Sequence, residues 1–247
     1  YVSLLDVITN KSFISKNENY CKPTIRKKSK ANDVVLKGRT QKISVKHGEF
    51  KAYSSRDFQL TEEGKYKKGV KHGTWFAYYP GGRTPTVICN YKNGKLHGLS
   101  TNWYENGQKK SEVNWVAGKM YGLATWWYEN GQKKSESHWK DGKREGIKTW
   151  YYESGQKKSE GNFLDNKEDG VIKHWYEDGS RKMHITRAAG KLDGLSTYWH
   201  QSGWKHSERN FKDDKQHGIT IFYNREGNET LREHWQAGEL ILKKYAN

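Results

Sequence analysis

Tyr104-Glu105-Asn106-Gly107-Gln108-Lys109-Lys110-Ser111-Glu112 recurs almost letter for letter at Tyr128 to Glu136 and at Tyr152 to Glu160, 24 residues further on each time. A period in that range marks an array of like supersecondary units, each too small to bury a core alone. Working outward from the quoted stretch, every unit opens on a glycine: Gly48, Gly73, Gly98, Gly122, Gly146, Gly170, Gly194 and Gly218. An aromatic residue follows five positions later, at Tyr53, Tyr78, Trp103, Trp127, Tyr151, Trp175, Trp199 and Tyr223. That makes eight units, the first two longer by one residue and the first degenerate.

Asn106-Gly107, Asn130-Gly131 and Asp178-Gly179 signal hairpins with tight primed turns, because those residues tolerate positive φ. The flanks alternate with period 2, as strands do. In Leu99 to Tyr104, a first face carries Leu99, Thr101 and Trp103. A second turn follows at Ala117-Gly118-Lys119. Each unit therefore reads as a hairpin, and the chain as an all-β meander of about sixteen short strands. The domain reading is a non-repeat basic segment over residues 1–47 and a repeat array over residues 48–247.

The first face is expected to be the core, stacking Leu99, Leu123, Ile147, Val171, Leu195 and Ile219 with the aromatic ladder. Trp115, Trp139, Phe163, Phe211 and Trp235 would join it from the returning strands. The second face would mix Lys110, Lys134 and Lys158 with Glu112, Glu136, Glu160, Tyr104, Tyr128, Tyr152 and Tyr176. Trp75, Trp126, Trp150, Tyr198 and Phe222 are placed on it where other units have Asn102 or His174. A position that varies between units and carries exposed rings suits a protein partner, since Trp and Tyr are enriched at interfaces. The bland alternative is that these rings cover a two-sided sheet.

A chain that is 33% hydrophobic and 14% aromatic is too polar for an ordinary globule, but fits a thin sheet covered by large rings. The formal net charge is +17, unevenly spread. Residues 1–47 hold 11 Lys/Arg against 3 Asp/Glu. Val2, Leu4, Leu5, Val7 and Ile8 could cap the array, and Arg26, Lys27, Lys28 and Lys30 form a basic patch. That patch reads as a solvated linker, as a site for an acidic partner, or as a contact for nucleic acid or anionic lipid. Cys21 and Cys89 are too few for a disulfide framework. No apolar run reaches the roughly 20 residues of a membrane span, and no signal peptide is visible in residues 1–15.

Chemistry finds little support in the spacing. His72, His97 and His217 precede opening glycines, so equivalents lie roughly 9–10 Å apart, too far to share a metal. Glu112, Glu136 and Glu160 are likewise about 10 Å apart, beyond the separation of paired glycosidase carboxylates. No nucleophile elbow, P-loop or dinucleotide fingerprint occurs. No cofactor is expected, and no metal. Single-stranded nucleic acid would suit lysines interleaved with rings, but glutamates on the same stripe would repel phosphates.

The unit from Gly98 to Lys119, Gly-Leu-x-Thr-x-Trp-Tyr-Glu-Asn-Gly-Gln-Lys-Lys-Ser-Glu-x-x-Trp-x-x-Gly-Lys, resembles the bacterial variant of the MORN repeat, in the antitoxin-like form of the YwqK type. The likeness covers roughly residues 48–247 and is strongest in the third to fifth units. It implies an elongated, twisted single antiparallel sheet without enzymatic activity. The label points to neutralisation of a toxin or effector protein. Eukaryotic relatives imply links to membranes and to scaffolding. Basic lysines beside Trp and Tyr would suit a module that binds anionic lipid or envelope polymer, and an extended scaffold or adhesin is the remaining reading. The sixth unit departs from the pattern at Arg187, where Trp or Phe is expected, and a bend or a partner contact is expected there.

Overall fold

The computed structural model describes residues 47–56, 58–80 and 84–246, and these fall into two compact units, one ending at Gly107 and one starting at Gln108. Residues 1–46 lie outside the described residues, and with them the expected cap and the basic patch at Arg26, Lys27, Lys28 and Lys30. The first compact unit contains β1 (Gly48–Tyr53), β2 (Leu60–Lys67), β3 (Val70–Tyr78), β4 (Pro85–Lys92), β5 (Lys95–Leu96) and β6 (Gly98–Trp103). The second contains β7 (Lys109–Val116), β8 (Lys119–Trp127), β9 (Lys133–Lys140), β10 (Lys143–Tyr151), β11 (Lys157–Leu164), β12 (Lys167–Glu168) and β13 (Gly170–Trp175). It continues with β14 (Arg181–Ala188), β15 (Lys191–Leu192), β16 (Gly194–Trp199), β17 (Lys205–Lys212), β18 (Lys215–Tyr223), β19 (Glu229–Gln236) and β20 (Glu239–Tyr245).

Within each compact unit, successive strands pair antiparallel, as in β8 with β9 and β9 with β10. The fold is all-β, in repeated hairpins. Among the described residues it has twenty strands rather than sixteen. Three of the extra strands, β5, β12 and β15, are two-residue pieces cut off just before an opening glycine, and the fourth is β20.

The two turns exchange the roles expected of them. At Tyr128-Glu129-Asn130-Gly131-Gln132 only the glycine has positive φ, and its N–H donates to the Tyr128 carbonyl at 3.0 Å. That is a type I turn closed by a left-handed glycine, and a separate one-residue bulge follows it on the returning strand. The primed geometry appears at the other turn, where both central residues are left-handed: Ala117 (φ 51) with Gly118 (φ 85), and Asp165 (φ 51) with Asn166 (φ 69). Successive turns of this second kind are stitched together, the Gly142 N–H donating to the Met120 carbonyl and the Gly190 N–H to the Glu168 carbonyl.

The bulge decides which side chains share a face. Trp127 stands opposite Lys133, but Trp126 stands opposite Ser135, so Lys134 is the extra residue. One inserted residue turns the rest of the returning strand over. The Ser135-Ser137-Trp139 side therefore packs on the second face, beside Trp126 and Ala124, and Glu136 packs on the first, beside Thr125.

The expected core is thereby corrected. Leu123, Ile147, Val171, Leu195 and Ile219 on the first face are exposed, at 38–56%. Burial concentrates on the second face, where Val113, Ala124 and Ile172 are each 1% exposed and Ser111, Ser196 and Ser207 are fully buried. Small residues form the floor and rings fold over them. The Trp139 indole N–H donates to Ser137 Oγ at 2.8 Å, which lays the ring back along its own strand. In the first compact unit the same face gathers Trp75 with Phe50, Tyr66 and Tyr91, ring centroids 5.1–6.2 Å apart.

Candidate functional site

Each candidate side chain has a definite place in this frame. Trp75 is 2% exposed and pairs with Cys89 on β4. Its equivalent in the later units is Ala124, opposite Ser137, rather than Trp126. Trp75 thus stands two positions away from the variable column and is a core residue; Ala77, opposite Val87, takes the variable place in its unit. Trp126, Trp150 and Tyr198 occupy that column, half-buried, facing Ser135, Ser159 and Ser207 respectively. Trp150 packs against Phe163 at 6.0 Å.

The repeated tyrosines serve the scaffold. Tyr128 donates its hydroxyl to the Tyr151 carbonyl at 2.8 Å, Tyr152 to Trp175 at 2.9 Å and Tyr176 to Trp199 at 3.2 Å. Each tyrosine thereby ties its turn to the last residue of the next unit's opening strand. Tyr104, at the equivalent place, is half-buried. The strand pairing shows no register shift at Arg187. The residue lies within the regular strand β14, its Nε 2.8 Å from Glu168 Oε2 and its Nη1 donating to the Gly190 carbonyl at 2.8 Å. It fills the aromatic position with a locally compensated cation.

The charges separate between the faces. On the first face Lys133 pairs with Glu136 at 2.8 Å and Lys157 with Glu160 at 2.7 Å. Tyr223 donates to Glu208 at 2.7 Å. The bonds from Lys205 and Tyr223 hold the Glu208 carboxyl below the usual range, while burial and then Glu208 push the Tyr223 phenol up to about 12. The bulged lysines go the other way. Lys134, Lys158 and Lys182 lie over Tyr128, Tyr152 and Tyr176 at 5.2, 5.2 and 5.4 Å, with no carboxylate partner among the described residues. The expectation that glutamates line the same stripe as these lysines is corrected: the bulge puts the two on opposite faces.

The second face also holds cations that the repeat pattern hides. Arg144 lies over Trp139 at 4.7 Å, Lys148 over Trp150 at 3.8 Å, and Arg209 over Tyr198 at 4.9 Å. Burial, then the neighbouring Arg144, pulls the Lys148 ammonium down to about 7 against the attraction of Glu168. Burial, then Lys182 and Arg187, pulls the His174 imidazole down to about 4. Both shifts report a partly desolvated, net positive surface. The sequence did signal these cations. Lys148 stands in a column that holds Ser100, Ala124, Ile172, Ser196 and Thr220 from the third unit on, after Phe50 and Trp75 in the first two, and Arg209 in one that holds Val113, Ser137 and Gly161.

The seventh unit replaces the repeated tyrosine, glutamine and lysine by His200, Trp204 and His206, whose rings lie 5.2 and 5.9 Å apart in sequence order. Among the described residues no three His, Cys, Asp or Glu side chains come together as a metal-ligating group.

Four segments of the chain, residues 96–117, 120–141, 144–165 and 192–213, match the family described as MORN repeat variant. The unit that carries Arg187 falls between the third and fourth of these. Repeats of this kind suggest a binding module built from repeated units. No curated protein matches the chain.

Proposed function

We propose that this chain is a non-enzymatic repeat module whose second face binds an acidic protein partner, in the manner of a bacterial antitoxin or immunity protein that neutralises a toxin or effector. The observation that carries this reading is the separation of charge. Glu112, Glu136, Glu160 and Glu208 are each held by a neighbouring lysine on the first face. Lys148, Arg209 and the bulged lysines of the second face lie over rings and make no salt bridge among the described residues, with Glu168 acting on Lys148 only from farther away. Of the acids on that face, Glu168 is paired with Arg187 and Glu233 lies 3.8 Å from Lys243. The basic patch at Arg26, Lys27, Lys28 and Lys30 adds to the same attraction in this reading.

The test is co-expression with the product of the neighbouring gene. A co-eluting complex and relief of that product's toxicity are expected. An association rate that falls steeply with salt is expected too, since steering between opposite charges is screened over about 8–10 Å. Failure to form a complex with any adjacent product would sink the antitoxin reading, and a flat salt dependence would remove its electrostatic half.

A second reading is favoured by one observation: Leu123, Ile147, Val171, Leu195 and Ile219 stand exposed on the first face, with Tyr121 also exposed nearby in sequence. Such a row suits an anionic lipid or envelope surface. Flotation with anionic liposomes, reduced by Ile147→Glu, is the expected result. Equal recovery with neutral vesicles would reject it.

A further inference from the structure

We propose that the lysine row Lys134, Lys158 and Lys182 is a ruler for an extended acidic peptide that crosses the strands of the second face with a carboxylate at every third residue. This rests on the reading of the second face as the site of an acidic protein partner, and narrows it to one backbone form and one spacing.

The row is regular because the bulge is. Lys134 is the extra residue of one returning strand, and Lys158 and Lys182 take the same place 24 and 48 residues on, each skipped in its own strand register. All three are exposed. Each ammonium rests over its own tyrosine ring, at 5.2–5.4 Å. Those rings are fixed in turn by hydroxyl bonds to the next unit's backbone. The three positive charges thus rest at like positions over like rings, each contact a weak one at an exposed site. Two strands separate neighbouring lysines, a step of roughly 9–10 Å.

An occupant lying across the strands of a sheet face meets side chains, not unpaired backbone groups, so ladder hydrogen bonds cannot bind it. Polyproline II geometry suits that situation, because its backbone stays solvated. It makes one turn in three residues and about 9.3 Å, which matches the lysine step and aims every third side chain the same way. Single-stranded nucleic acid shares the charge but needs open ring faces for its bases. Here those faces are already covered by cations: Trp150 by Lys148, Tyr198 by Arg209, and the three tyrosines by the lysines themselves. Carboxylates need no ring.

The experiment titrates the full chain with a labelled peptide of four Glu-Pro-Pro triplets. The comparison peptide has the same composition, with its glutamates two and four residues apart, and a thymidine oligonucleotide of equal length is the third probe. The phased peptide is expected to bind about tenfold tighter than the unphased one, because its pairs form together rather than singly. Lys134→Glu with Lys158→Glu is expected to abolish that preference. Lys140→Glu with Lys173→Glu, an equal charge change on the first face, is expected to preserve it. These residues are exposed, so the variants retain the fold.

Equal binding of the two peptides overturns the ruler while leaving an acidic partner in place. A preference that survives the Lys134/Lys158 exchange overturns the location, and tighter binding of the oligonucleotide overturns the peptide in favour of nucleic acid. If neither peptide binds, the ruler fails. The acidic-partner reading stands or falls separately, on the complex with the neighbouring gene's product.

Discussion

The indole of Trp75 lies flat against the backbone of Gly64, so that a methyl group added at Gly64 would overlap the ring. The second compact unit repeats the arrangement with Gly161 beneath Ile172. Neither glycine has positive φ, so both are present for space rather than for backbone freedom. Gly64→Ala and Gly161→Ala are each expected to cost about 1–3 kcal/mol, the usual penalty for overfilling a packed core. Ile172→Val removes the methyl nearest the added one and is expected to recover part of the loss in Gly161→Ala. Urea unfolding of the three variants reads this out, and an unchanged midpoint in Gly64→Ala would show that the ring is free to move aside.

Tyr152 shows why a repeated surface ring need not be a binding residue. Its hydroxyl reaches the Trp175 carbonyl, 23 residues away, and its ring carries Lys158. Tyr152→Phe keeps the ring and the cation contact but drops the bond. A loss of about 0.5–1.5 kcal/mol in stability is expected, with affinity for an acidic partner unchanged. A variant that kept its stability and lost its partner would make the phenol a recognition group instead.

His174 sets a dependence on acid. Its folded value of about 4 lies below the usual 6.5, chiefly through burial. The unfolded chain therefore binds the proton more readily between those values, and stability must fall as pH drops from about 6.5 towards 4. His174→Asn, which copies the residue of the third unit at Asn102, is expected to flatten that slope. Thermal unfolding of the two proteins across the window checks it, and parallel curves would clear His174 of the role.

Lys148 acts in the same direction at higher pH. Its folded value of about 7 lies below the usual 10.5, through burial and then Arg144. Stability should rise with pH between about 7 and 10.5, as the unfolded chain keeps a proton the folded one gives up. Lys148→Met is expected to be the more stable protein at pH 6, by up to a few kcal/mol, and the advantage should vanish near pH 10.5. An anionic occupant would restore the charge, so proton uptake on binding at pH 8 by the wild type, absent in Lys148→Met, would be the calorimetric sign.

The period, the hairpins and the two-faced strands were all legible from glycine spacing and alternation, because those follow from backbone φ and the pleat. The faces were not. Counting by twos across Asn130-Gly131 puts Trp139 with Trp127, whereas the bulge at Lys134 puts it with Trp126. One residue of slip inverted the expected core, exposed Leu123 and Ile147, and moved the glutamates away from the bulged lysines. Asn-Gly reads as a primed turn because the primed type accepts it best. Here the glycine closes a type I turn, the register slips three residues further on at Lys134, and the primed turn goes to Ala117-Gly118, whose alanine is a weak sign of it. For the site, Trp126, Trp150 and Tyr198 do share one varying column, but Trp75, expected with them, stands in another; Lys148 and Arg209 are single departures from their columns and leave no repeated mark in the sequence.

Ala117, Ala189 and Ala237 are left-handed, with φ of 50–51°, at the first central position of their primed turns. A Cβ costs roughly 1–2 kcal/mol there, and asparagine relieves part of that by bonding locally. The neighbouring turn at Asp141-Gly142 shows that a polar residue fits the same site. Ala117→Asn, Ala189→Asn and Ala237→Asn are each expected to stabilise the protein by about 0.5–1 kcal/mol. The three positions lie in different units, well beyond contact, so the gains should add within a few tenths of a kcal/mol. Chemical unfolding of the single and triple variants decides it. No gain in any of them would mean that the bonds between stacked turns, such as that from the Gly190 N–H to the Glu168 carbonyl, already hold the turn whatever its side chain.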